Sequence, residues 1–383
     1  MEIFQENLTL LFFLGVWKPS EWSPGSVKSF LYSFYTILII FLSFNFLITE
    51  LLDLILVTSN VTEFINNFFM ITAIFSACVK LVIFLLYRNS FNEIIYTLKK
   101  YLLNDSNTKE EMAIWKRSSN KIRSLTIFFL YANSIGMIFF TSGFVGNIKN
   151  RELLYRAWVP YNYSHPVKYS ATVLNQVVTV LILSFMNIGF VLLFFAIMIS
   201  ICAQLSIFKL KFQRHFSYKD HPDDCYKNIY ASKLLGEMVD IYHSITRLFG
   251  KVHGLFSWVI LFEYCMGAVI FCTSAYHMSK MKVFSFEFLS CASYITEIML
   301  DLFIVCFSCN EVTLEFQKLH GAFYNCHWYM LNNNDKKSLG FMMVNSMKPI
   351  YFTCGYVVYL SIESFTKVIK VSYSIYNVLQ STL

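Results

Sequence analysis

The chain has 383 residues, of which 56% are hydrophobic, 18% aromatic and only 14% charged, against about 25% charged in an ordinary soluble domain. So few charges cannot clothe a soluble surface, which excludes a soluble enzyme, a nucleic-acid binder and a disordered protein. The excess of seven positive charges (31 Lys+Arg against 24 Asp+Glu) is read as membrane-flanking loops, not as a surface for an anionic partner.

Residues 1–28 carry Glu2, Glu6 and Glu21 and no small-residue cleavage pattern, so a cleavable signal peptide is not expected and this segment is read as cytoplasmic. A membrane-spanning helix needs about 20 mostly apolar residues. Candidates run in chain order over 29–49, with no charge; 64–87, interrupted by Lys80; 124–148, with no charge; and 169–208. Three more follow: 254–276 with Glu263, 283–310 with Glu287, Glu297 and Asp301, and 349–373 with Glu363, Lys367 and Lys370.

The fourth stretch is twice the usual length. As one helix, 169–208 would run about 60 Å, roughly double the hydrocarbon thickness; as a hairpin it would cross twice. It contains no Pro and only Gly189 as a turn residue. A tight hairpin in lipid would strand backbone groups without partners, so one long helix projecting beyond the bilayer is predicted. Charge placement supports this independently. With a single span there, segments 1–28, 88–123, 209–253 and 311–348 hold 22 Lys+Arg on one side, and 58–63, 149–168 and 277–282 hold 6 on the other. Two spans there would even the sides to 12 and 16. Because cytoplasmic loops are the Lys/Arg-rich ones, the expectation is an all-α protein with seven transmembrane helices, an inside amino terminus and an outside carboxyl terminus.

That orientation argues against a G-protein-coupled receptor, whose amino terminus faces outward, and the D-R-Y and N-P-x-x-Y signatures are missing. A transporter lacks a pair of interrupted helices. The ten Cys lie mostly in apolar runs; Cys306 and Cys309 form a lone C-x-x-C in an apolar helix and are read as small core residues. The intramembrane acids form no H-E-x-x-H pattern, and neither a metal nor a cofactor is implied. Of the sequons at Asn7, Asn60, Asn104 and Asn162, only Asn162 falls in a plausible outer loop.

The last span carries the most information. Glu363, Lys367, Lys370, Ser374 and Asn377 recur at intervals of four and three, which places them on one helical face. Such a stripe is unfavourable against lipid and must meet protein or water. One reading is a polar contact inside the same chain, with Glu363 pairing to Lys367. The other is a water-filled pore lined by the same helix from several subunits, with its narrow gate at the outer end near Tyr373, Ile375 and Leu379.

From residue 324 onward the chain reads Tyr324, Trp328, Tyr329, Lys336-Lys337-Ser338-Leu339, Met342-Met343, Ser346, Lys348-Pro349, Gly355, Phe365 and Ile369-Lys370-Val371-Ser372-Tyr373-Ser374. This resembles the carboxyl-terminal signature of the insect odorant receptors. Gly15-Val16-Trp17-Lys18-Pro19 is similar to their entry motif, and Trp158-Val159-Pro160-Tyr161 with Ser164-His165-Pro166 to their second outer loop. The sister gustatory receptors usually end in T-Y-x-x-x-x-x-Q-F, whereas Ser372-Tyr373 and Gln380-Ser381 stand at another spacing here.

The resemblance implies an odorant-gated, non-selective cation channel assembled as a heterotetramer with a shared co-receptor, in the plasma membrane of a sensory neuron. A loop of 45 residues at 209–253, shorter than the co-receptor's, implies an odour-tuning subunit. It also implies four parts: the cytoplasmic segment 1–28, a ligand-binding bundle over 29–310, an anchor helix over 311–348, and the pore helix with a short outer tail over 349–383. Tyr324, Trp328, Leu339, Met342 and Met343 would form the subunit anchor. The odorant pocket would draw on Phe68, Phe69, Thr72, Phe75, Phe139, Phe140, Gly143, Phe185, Met186, Met266, Phe271 and Ser274, with Trp158 and Tyr161 as its lid. In a bundle this rich in Phe, each of these also reads as ordinary core. Burying about 300 Å² of a volatile yields at most about 7 kcal/mol, opposed by several kcal/mol of association cost, so affinity near micromolar is expected. A G-protein-coupled chemoreceptor of either topology, or a gustatory-type channel, remains the alternative.

Overall fold

The structure is a computed structural model that describes residues 4–19, 22, 25–57, 61–102, 108–143, 151–216, 224–279, 282, 285–348 and 350–382. Lipid offers the backbone no hydrogen-bond partner, so apolar segments fold as helices that satisfy their own N–H and C=O groups. In chain order these are α1 (Gln5–Phe13), α2 (Val27–Leu56), α3 (Val61–Leu86), α4 (Arg88–Leu102), α5 (Lys109–Gly143), α6 (Pro166–Phe216), α7 (Asp224–Ser279) and α8 (Phe286–Tyr324). A 3-10 turn (Trp328–Met330), α9 (Asn333–Met347), β1 (Thr353–Cys354), β2 (Val358–Tyr359) and α10 (Ile362–Thr382) complete the chain.

Among the described residues, α2, α5, α6, α7 and α8 are long and apolar enough to cross a membrane, and α3 joins them when counted with α4, to which it is bent by 71°. The 21 residues of α10 run about 31 Å, one hydrocarbon thickness. Exposed Phe30, Phe34, Ile37, Phe41, Ile48 and Ile55 give α2 an outward apolar face, as a lipid-facing helix requires.

α6 is one unbroken helix of 51 residues, about 77 Å long. From Ile188 to Leu205 it is enclosed on nearly every side, by α8, α5, α3, α7, α2 and α1, and the main core is built around it. Phe190, Phe194, Phe208 and Phe212 meet Phe84, Phe256, Phe352 and Phe323 in tilted and edge-to-face pairs, the geometry aromatic quadrupoles favour. Gly189, the only turn residue in the stretch, is instead a close-approach point. A Cβ there would stand 3.2 Å from Leu10 of α1.

The Gly15-Val16-Trp17 entry motif closes α1 as a Schellman cap. Gly15 sits at φ +74°, its N–H donates to Phe12 O, and Val16 N–H donates to Leu11 O, with Val16 and Leu11 both buried. The chain end differs from the hydropathy reading. The last helix begins at Ile362, not near 349, and residues 353–359 form a small antiparallel hairpin, with Thr353 opposite Tyr359 and Cys354 opposite Val358. Gly355 lies in the turn at φ +57°, a left-handed position that favours glycine, and a Cβ on it would run into the Leu261 side chain of α7. Apolarity marks where a segment suits lipid or core, not where its helix starts. For the same reason α7 and α8 run well past the predicted 254–276 and 283–310 windows.

Candidate functional site

A second apolar cluster lies apart from the α6 core. It joins Phe46 and Leu47 of α2, Met70, Ile71 and Ile74 of α3, Met137 and Phe140 of α5, and Val180 and Leu183 of α6. Beside it opens a cavity of about 100 Å³, walled by α3, α5, α6, α7 and α8. Its apolar walls include Met70, Ile74, Met137, Phe140, Val180 and Leu183, while Ser184, Asn187, Glu263, Glu297 and Asp301 supply polar groups.

Those polar groups belong to contacts that span five helices. Lys80 of α3, fully buried, pairs with Glu263 of α7 at Nζ–Oε1 2.6 Å and also donates to Asn187 Oδ1 of α6. Asn187 Nδ2 in turn donates to Asp301 Oδ2 of α8 at 2.8 Å. Ser184 Oγ lies 2.9 Å from Asn133 Oδ1 and 3.5 Å from Glu297 Oε1; its one proton can serve only one of them, and the shorter contact goes to Asn133. One formal positive charge therefore stands among three formal negative ones. Isolated charges are expelled from such interiors unless paired and hydrogen-bonded, which explains why Lys80 and Asn187 make two polar contacts each.

Of the pocket residues expected from sequence, Phe140 and Met266 line this cavity. Thr72 is buried on α3, its hydroxyl donating to Phe68 O at 2.6 Å, and Phe68 stacks on Phe64. Phe75 and Phe139 point outward and are 42% and 48% exposed, Phe75 against Phe262. Phe185 packs against the α6 core, and Met186 and Phe271 are buried within it. Ser274 is buried on α7. The side chain of Phe69 and the surroundings of Gly143 lie outside what is described. Trp158 and Tyr161 are surface residues of the 151–165 loop: Trp158 N–H donates to Thr49 O, and the Tyr161 hydroxyl meets that of Thr172 at 2.7 Å. Tyr155 of the same loop reaches the cavity wall: it is stacked on Phe140 at 6.0 Å and pinned by Gln176, which donates to Tyr155 O and accepts from Tyr155 N–H. Sequence reasoning missed Tyr155, Asn187 and the Lys80 pairing, because each owes its role to another helix. Asn162 is exposed in the same loop, its Oδ1 accepting from Ser164 N–H at 2.9 Å.

On α10 the two faces separate cleanly. Ser364, Val368 and Ser372 are buried against α7 and α8: Tyr264 of α7 donates to Ser364 O at 3.0 Å, and Phe365 meets Phe303 of α8. Glu363, Lys367, Lys370, Tyr373, Ser374, Ile375 and Asn377 are all exposed on the outer side. Glu363 and Lys367 pair at 2.7 Å along that face, and Ser374 donates back to Lys370 O. The side chain of Leu379 lies outside the described residues. Of the residues expected to form the anchor, Tyr324 and Trp328 are exposed, Leu339 and Met342 are buried in the chain's own core, and Met343 packs against it. Phe341, Val344 and Met347, not singled out from sequence, form an exposed apolar face on α9.

A predominantly helical multi-pass membrane protein with a long central helix, a cavity within the bundle and a polar-striped last helix is the class these features define. The sequence profile of the family described as 7tm Odorant receptor matches residues 60–373, and the chain belongs to that family. It is similar to Odorant receptor 2a of Drosophila melanogaster (21% identical, 93% of this chain and 92% of that one). It is also similar to Odorant receptor Or1 of Anopheles gambiae, at 22% identity over 60% of each chain. Its fold is that of the insect olfactory receptor OR5 from Machilis hrabei in complex with eugenol, at TM-score 0.85, 16% identity and coverage of 99% of this chain and 98% of that one.

Proposed function

We propose that this odorant receptor is an odour-tuning subunit of a ligand-gated, non-selective cation channel, assembled with a shared co-receptor, as a heterotetramer, in the plasma membrane of sensory neurons. The observation that carries the reading is the polar stripe of α10. Glu363, Lys367, Lys370, Ser374 and Asn377 turn away from the chain's own bundle while the opposite face docks on α7 and α8. Such a stripe on a membrane helix is stable only against water or another subunit. The intrachain alternative accounts for the Glu363–Lys367 pair but not for the outward direction of the whole stripe.

The cavity supplies the ligand side of the reading: it is largely apolar, lined by five helices and built to orient a ligand through few polar groups. OR5 of Machilis hrabei, of the same fold, is described in complex with eugenol. α7 lines the cavity through Glu263, Met266 and Ile270 and holds α10 through Tyr264 and Ala268. A ligand that favours one pose of α7 thereby favours one pose of the pore helix, which is what a shift of the gating equilibrium requires. The exposed Tyr324, Trp328, Phe341, Val344 and Met347 supply the subunit contact.

The test is recording from excised patches, in solution without GTP, of cells expressing the chain with and without the co-receptor. Odorant-evoked cation current that persists without GTP and needs the co-receptor is the expected result. Current that requires GTP, or external labelling of a tag at residue 1 in intact cells, would sink it.

A further inference from the structure

The polar end of the cavity holds two carboxylate oxygens, Asp301 Oδ1 and Glu263 Oε2, that meet no donor among the described residues. Asp301 is 3% exposed and lines the cavity. Its Oδ2 takes the Asn187 amide, and its Oδ1 has no hydrogen-bond partner among the described residues. Glu263, also in the lining, uses Oε1 for Lys80 and leaves Oε2 without one. Glu297 Oε1 stands 3.5 Å from the Ser184 hydroxyl, whose proton goes to Asn133. Of the donors at hand, Ser184 goes to Asn133, Asn187 to Asp301, and Lys80 to Asn187 and Glu263; the hydroxyls of Ser76 and Tyr294 also line the cavity, and neither reaches those two oxygens. A buried acceptor left unmade is expensive, and a carboxylate more so than a neutral group.

We propose that this cavity takes volatile ligands bearing a protonated amine, whose N–H groups meet the open carboxylate oxygens of Asp301 and Glu263 while the apolar body lies on Met70, Ile74, Met137 and Phe140. The proposal rests on the cavity being the odorant site and names the chemical class it selects. An ammonium brings three donors and no acceptor, matching a floor with spare acceptors, and it offsets the excess of formal negative charge around Lys80. An ester or ketone brings only acceptors. An alcohol brings one donor and no charge.

The test uses the purified full chain in detergent and matched triads of amine, alcohol and alkane on butyl, hexyl, cyclohexyl and benzyl skeletons, read by ligand-induced thermal shift. In at least one triad the amine is expected to bind at least about tenfold more tightly than its alcohol, the scale of a charge-assisted hydrogen bond. Asp301→Asn is expected to erase that preference while the alcohol still binds. Amines that bind no better than their alcohols in every triad, or bind nowhere, overturn the proposal, as does a preference that survives both Asp301→Asn and Glu263→Gln. Should Asp301→Asn fail to fold, the wild-type triads and Glu263→Gln decide. Binding is read without current, so amine binding in a chain that passes no ions would sink the channel reading alone. Currents evoked only by neutral volatiles would sink this inference alone.

Discussion

Two Glu–Lys pairs of nearly the same length sit in opposite surroundings. Lys80–Glu263 spans 2.6 Å with its side chains 1% and 17% exposed; Lys367–Glu363 spans 2.7 Å with 67% and 74% exposed. The first joins two helices 183 positions apart in sequence, and the second joins two turns of one helix. Equal geometry does not mean equal worth. A buried pair has already lost its water, so its members depend on each other, whereas an exposed pair keeps its solvent and matters little for stability. The buried pair ties two helices of the bundle together; the exposed one lies on the outward face of α10.

The largest effect comes from breaking the buried pair on one side. Lys80→Met leaves Glu263 charged and unpaired and is expected to cost about 3–5 kcal/mol, seen as a lower melting temperature in detergent and loss of surface expression. Adding Glu263→Gln should restore much of it, and failure of that rescue would show that Lys80 acts through more than its charge. Asn187→Leu sharpens the comparison by keeping the ion pair and removing the amide that links Lys80 to Asp301. It should cost about 1–3 kcal/mol by the same melting assay.

Gly355→Ala probes what holds the exposed region in place. Forcing a Cβ into a left-handed position against Leu261 should cost about 1–2 kcal/mol and displace the hairpin that leads into α10, so reduced ligand-evoked current at equal surface expression is expected. Smallest in stability is Lys367→Gln, for which no change in melting temperature is expected. If α10 lines a cation path, removal of this positive charge should raise single-channel conductance at low ionic strength, an effect that fades as salt screens it. Unchanged conductance in low salt would place the stripe outside the ion route.

How much was legible follows the range of each interaction. That 169–208 forms one helix could be read from its lack of Pro and charge, because local composition decides it. The glycine at position 15 could be recognised as part of a motif, yet its Schellman cap and its neighbours are visible only once α1 is folded. The outward face of α10 was readable as a stripe of polar residues with a 3.6-residue period, but not its direction, which depends on which face α7 and α8 cover. The candidate cavity was read least well. Phe140 and Met266 line it, whereas Phe75 and Phe139 point away. In an apolar helix a Phe suits lipid and core equally, so hydropathy carries no information about the helix's rotation.

By itself, the amino-acid order determined a predominantly helical membrane protein, its long central helix, and the polar face of its last helix, since each follows from residues within a few turns of one another. Only the tertiary structure decided that Lys80, Asn187, Glu263 and Asp301 would converge. Those four residues come from four helices, and their meeting depends on how the helices are turned and packed, a choice governed by the shape of the whole core and not by any local pattern.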